Sequence, residues 1–84
     1  MPYVEVLWTD GPNGNIEHLA EHGVSPQEAH DVLASPIATE KSRSSGHPIA
    51  FGYTRHGRQL AIVYEMIDDV TVYPLTAYDV EVWP

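Results

Sequence analysis

The spacing of apolar residues changes near Pro36, from a helical period before it to a period of two after it. Ahead of that point, the β-branched and aromatic run Tyr3-Val4-Glu5-Val6-Leu7-Trp8 predicts a first strand, and the turn-forming Asp10-Gly11-Pro12-Asn13-Gly14 stops it. Ile16, Leu19 and Ala20 then follow i, i+3, i+4 spacing and predict a short helix, with Asn13 or Asn15 as its cap and Gly23 just past its end. Ser25-Pro26-Gln27-Glu28 has the form of a capping box with proline in the first helical turn, and Val24 is placed to pack on Ala29. The inward stripe of this second helix is Ala29, Val32 and Leu33, and Ser35-Pro36 ends it because a residue before proline avoids the helical region.

Beyond Pro36, strands are predicted over Ile37 to Ser42, Ile49 to Tyr53, Gln59 to Glu65 and Val70 to Tyr78. The joints around Gly46, Gly57 and Asp68-Asp69 are short, which implies antiparallel hairpins. Pro74 has no N–H to give a ladder, so the last strand must lie at an edge there or be bulged. The result is one α+β domain over residues 1–84, in the order β-α-α-β-β-β-β, with two short N-terminal helices packed on an antiparallel sheet.

Composition narrows the picture. The chain has 84 residues and is 43% hydrophobic, enough for one core, and it has neither a membrane-length apolar run nor a signal-like start, so a cytoplasmic location is expected. Without cysteine there is no disulfide framework or thiolate metal site, and no metal or cofactor is expected. The net charge of −8 argues against non-specific nucleic-acid binding. Its distribution is uneven: all four cations, Lys41, Arg43, Arg55 and Arg58, fall in residues 41–58 with His47 and His56, and no Asp or Glu lies among them. That stretch is either a local phosphate-binding patch or a solvated hairpin whose cations pair with acids of the helices.

The segment Asn15-Ile16-Glu17-His18-Leu19-Ala20-Glu21-His22-Gly23-Val24-Ser25-Pro26-Gln27-Glu28-Ala29 resembles one in BrnT-like toxins of the RelE/ParE superfamily. Val32-Leu33-Ala34-Ser35-Pro36, Gly52-Tyr53-Thr54 and Gly57-Arg58-Gln59-Leu60-Ala61-Ile62-Val63-Tyr64 are similar to later parts of the same pattern, so the likeness runs from about Trp8 to Tyr78. The chain departs from it in being acidic and in carrying Thr76-Ala77-Tyr78 where the family has I-S-A-R. The resemblance implies a RelE-like fold, a metal-independent ribonuclease of a type II toxin–antitoxin system acting on RNA, and a cognate antitoxin that holds it inactive.

Cutting RNA without a metal needs a base, cations for the phosphate and an acid for the leaving oxygen. Arg58, Arg43, His22 and Tyr78 are the catalytic candidates, and Arg55, Lys41, Tyr53 and Tyr64 the RNA-binding ones, since forked guanidiniums suit phosphate and tyrosines can stack on bases. The plainer alternatives are that His22 complements a helix C-terminus, that the tyrosines pack, and that Arg58 pairs with Glu65 or another acid. His18-Leu19-Ala20-Glu21-His22 also fits the H-x-x-E-H pattern of inverted zinc proteases, but a chain this short lacks a supporting helix and cleft. The competing function is a non-catalytic protein-interaction module of the same fold. Under either function a small core leaves a sheet edge or the helical face for a partner or a homodimer.

Overall fold

The computed structural model describes residues 5–81. Its elements are β1 (Glu5–Val6), α1 (Asn15–Glu21), α2 (Pro26–Ala34), β2 (Ala38–Lys41), β3 (Pro48–Tyr53), β4 (Gln59–Met66) and β5 (Thr71–Asp79). The five strands form one sheet in the order β1-β5-β4-β3-β2. Among the described residues no helix is long and apolar enough to cross a membrane.

The class is α+β, but the sheet is mixed where a wholly antiparallel one was expected. β2 to β5 form an antiparallel meander, while β1 leaves chain order and pairs in parallel with β5, Glu5 against Thr71 and Val6 against Val72. Of the predicted first strand, Tyr3 and Val4 lie outside the described residues, and Leu7 and Trp8 are not strand. Proline chemistry explains where the parallel ladder ends. The Glu5 N–H donates to the Val70 carbonyl (2.7 Å) and the Leu7 N–H to the Val72 carbonyl (2.9 Å). The next rung needs an N–H from residue 74, which proline lacks. On its other side β5 shifts register at Pro74, with Tyr64 opposite Pro74 and Val63 opposite Thr76, so Leu75 is the extra residue of a bulge.

Both helices cover one face of the sheet. Leu19 of α1 and Ala29, Val32 and Leu33 of α2 join Val24, Ala50, Leu60, Ile62, Val72 and Ala77 in the core, with Val6, Trp8, Ala34 and Tyr64 packed against it. Full burial of Leu, Ile or Val contributes about 1.5–3 kcal/mol per side chain, so this layer supplies most of the folding drive. Helix α1 matches the expected stripe only at Leu19, since Ile16 is half-buried and Ala20 exposed. It ends as predicted: Gly23, at φ 73°, donates to the Ala20 carbonyl (2.9 Å) and Val24 to Leu19 (3.0 Å), which drops Val24 into the core. Helix α2 has the full capping box between Ser25 and Glu28. Its far end can approach the sheet because Gly52 has no Cβ, which would sit 3.3 Å from Val32 Cγ1 and 3.5 Å from the Ser35 carbonyl.

Asn15 departs from its expected role. The N-cap of α1 is Gly14, which makes no side-chain bond, and Asn15 is the first helical residue with its amide turned inward at 3% exposure. Its Oδ1 accepts from the Thr9 N–H (2.8 Å) and the Thr9 hydroxyl (3.2 Å), and its Nδ2 donates to the carbonyls of Leu7 (2.9 Å) and Pro74 (3.1 Å). The amide thus takes over where the β1–β5 ladder stops.

Candidate functional site

The four cations that adjoin in sequence do not adjoin in space. Arg43 lies in the turn between β2 and β3, and Arg55 and Arg58 in the turn between β3 and β4. The six residues of β3 separate these turns, so the two groups sit at opposite ends of the sheet, about 17 Å apart at 3.3 Å per residue. The predicted contact set of Arg43, Arg55 and Arg58 is therefore split.

Arg58 is held from three directions. Its Nε and Nη2 fork onto Asp79 (2.8 and 3.0 Å), and its Nη1 donates to Glu28 (3.1 Å) and to the Gly23 carbonyl (2.7 Å). One guanidinium thereby ties the end of β5, the N-terminus of α2 and the bend after α1. The expected acid Glu65 is not a partner, because it lies toward the far end of β4. Hydrogen bonds from Arg58 lower the Asp79 carboxyl, and the Ser25 N–H followed by Arg58 lowers that of Glu28.

Arg55 is held by Asp31 of α2. Nε and Nη2 donate to the two carboxylate oxygens (3.3 and 3.1 Å), and the Arg55 backbone N–H adds a third bond (3.0 Å). The Asp31 side chain is 12% exposed, and the Arg55 side-chain bonds bring its pKa down from 3.8 to about 2. A depressed carboxyl stabilises the fold above its unfolded pKa, and that stability is lost as pH falls through the folded value. We therefore expect Tm to fall as pH drops from 3.8 towards 2. Asp31→Asn should flatten that fall and lower Tm at pH 7; melts that keep the wild-type pH profile would count against the pair.

The remaining candidates are dispersed. The Lys41 and Arg43 side chains are exposed and make no hydrogen bond or ion pair among the described residues. His18 and His22 stand one turn apart on the outer side of α1, ring centroids 5.5 Å apart, with Glu21 3.9 Å from His18. No group of three His, Asp or Glu among the described residues is arranged to hold a metal. The tyrosines divide between faces: Tyr64 packs on the helix-side core, where burial raises its pKa, while Tyr53 and Tyr78 lie on the opposite face. A 480 Å³ groove beside α2 is lined by His30, Asp31, Tyr53, Thr54 and Arg55, and a 320 Å³ hollow between α1 and β5 by Asn13, Glu17, His18, Glu21 and Tyr73. Neither hollow gathers Arg43, Arg58, His22 and Tyr78.

The face opposite the helices is the other feature of note. Strand alternation puts three rows on it, Ala38-Phe51-Ala61-Tyr78, Glu40-Ile49-Val63-Thr76 and Tyr53-Gln59, with Glu65 beyond them. Phe51 and Ala61 at its centre are buried, while Tyr53 and Tyr78 are 45% and 43% exposed. The described residues place no helix on this face.

No family model, curated protein or solved structure matches the chain. The residues that organise these sites, Asn15, Asp31 and Asp79, were not among the sequence candidates. Only Asp31 carried a usable signal, as an acid on the polar side of α2 in a chain whose cations needed partners.

Proposed function

We propose that this chain is a non-catalytic protein-interaction module. The observation that carries this reading is the commitment of Arg55 and Arg58, the guanidiniums best suited to forked phosphate binding, to carboxylates of the chain itself. Arg55 with Asp31 is locally neutral and Arg58 with Glu28 and Asp79 is net negative, so these two guanidiniums offer a phosphate little net attraction.

The second reading is a RelE-like, metal-independent ribonuclease of a toxin–antitoxin pair, with a cognate antitoxin as partner. One observation favours it: Lys41 and Arg43 remain exposed and unpaired among the described residues at the β2–β3 turn, beside His47. Strong expression of the chain alone, followed by growth measurement and incubation of the purified protein with RNA and a chelator, separates the two. The module reading expects normal growth and intact RNA; chelator-resistant cleavage would replace it with the nuclease reading.

A further inference from the structure

We propose that His18 and His22, on the outer side of α1, form a binding site for a divalent transition metal of the copper and nickel class, held by two imidazole nitrogens. The site is separate from the interaction-module reading and does not depend on it. Helical spacing makes the pair: residues four apart stand one above the other on a helix face, and His22, although it caps α1, keeps a near-helical backbone at φ −98° and ψ 10°. Both side chains are exposed, and their ring centres are 5.5 Å apart. An imidazole-bound metal sits about 2 Å from the ring nitrogen and so roughly 3.2 Å from the ring centre; two rings that meet it at a right or a tetrahedral angle stand about 4.5–5.2 Å apart. A small side-chain rotation closes the remaining gap. His30 on α2, His47 before β3 and His56 in the turn before β4 each lie on a different segment, and among the described residues only His18 and His22 have their rings in contact.

The surroundings favour a cation. Glu17 and Glu21 on the same helix are exposed, and no Lys or Arg lies between Met1 and Glu40. The Glu21 carboxylate stands 3.9 Å from His18 Nδ1, where its charge favours a proton on that nitrogen and leaves Nε2 as the donor. Ligand type then selects among cations. Neutral imidazole suits Cu2+, Ni2+ and Zn2+, whereas Mg2+ and Ca2+ take oxygen, and affinity at a given nitrogen site peaks at Cu2+. Among the described residues no group of three His, Asp or Glu is arranged to hold a metal, so water fills the other coordination positions. Because the two donors sit on successive turns, the metal binds only while the last turn of α1 is folded, and it therefore stabilises the native chain.

The test is a titration of the full chain with Cu2+, and with Mg2+ as the control, read by calorimetry and by paramagnetic broadening in the NMR spectrum of the 15N-labelled protein. We expect one Cu2+ per chain, broadening confined to the residues around His18 and His22, a Tm that rises with the metal, and no response to Mg2+. His18→Ala and His22→Asn should each weaken Cu2+ at least about tenfold and cancel the rise in Tm, because the second nitrogen no longer binds at the effective concentration that one helix face gives it. Both positions are exposed and asparagine suits a helix end, so the metal-free fold should persist, and His30→Ala should bind as the wild type does. Glu21→Gln should weaken binding less than either histidine change; an equal loss would overturn the two-imidazole site in favour of a carboxylate ligand. Wild-type affinity in His18→Ala or His22→Asn, broadening centred on His30, His47, His56 or the amino terminus, or a matching response to Mg2+ would overturn the proposal. Half a Cu2+ per chain together with a larger particle would overturn the single-chain site and give the remaining positions to a second copy's histidines.

Discussion

Asn15→Ala is expected to destabilise the fold by about 3 kcal/mol, a large part of the 5–15 kcal/mol that small domains have. The buried amide makes four bonds, to both polar groups of Thr9 and to the carbonyls of Leu7 and Pro74. Alanine takes a partner from the Thr9 N–H and from the Leu7 and Pro74 carbonyls, at about 1–3 kcal/mol for each that water cannot reach, while the Thr9 hydroxyl keeps its bonds to the residue-15 N–H and to Tyr73. Thermal melts should show a Tm lower by on the order of 15 °C. Asn15→Asp offers a sharper check, since a carboxylate there faces two carbonyl oxygens with no proton to donate. Its folded pKa must rise, so the lost stability should partly return as pH falls through that raised value and the acid gains a donor. A loss below about 1 kcal/mol for the alanine variant would show that the amide does not hold β1 and α1 together.

Arg58→Ala is expected to cost about 2 kcal/mol, whereas Arg43→Ala should change stability by less than 0.5 kcal/mol. Arg58 bonds to Asp79, Glu28 and Gly23 together and its side chain is 30% exposed, so truncation releases three segments at once. Asp79 is 60% exposed and can regain water, which keeps the figure near the lower end for charged hydrogen bonds. Lysine should restore only part of the loss, because a single ammonium cannot fork onto Asp79 and also reach the Gly23 carbonyl. Denaturant unfolding of the three variants decides it; equal midpoints for Arg58→Ala and Arg43→Ala would mean that the clamp carries no stability.

The elements themselves were largely legible. The capping box at Ser25, the stop at Pro36 and the φ requirement at Gly23 are local, and strands β2 to β5 declared themselves through alternation and short joints. Charge was legible only as one of two alternatives, that the cations pair with acids of the helices; Asp31 and Glu28 of α2 answer to it, while Asp79 of β5 does not. A linear map of residues 41–58 shows cations without acids, because the acids that bind Arg58 and Arg55 arrive from α2 and from the end of β5. The direction and neighbour of β1 were hidden for a related reason: Glu5-Val6 states which faces its side chains take but not which strand it joins. Asn15 misled because an asparagine beside a helix start suits a cap, and only the fold supplies the Pro74 and Leu7 carbonyls that claim it.

The pairing of Glu5 with Thr71 has a kinetic meaning. Strands β2 to β5 can assemble hairpin by hairpin from neighbouring segments, but β1 must close nearly the whole described chain into a ring, and among the described residues it gains two residues of ladder by doing so. It therefore docks last on folding and leaves first on opening. While it is away, the outer edge of β5 at Thr71 and Val72 is bare backbone, open to the same segment of a neighbouring molecule. How long β1 stays docked thus sets how much time each molecule spends vulnerable to strand exchange.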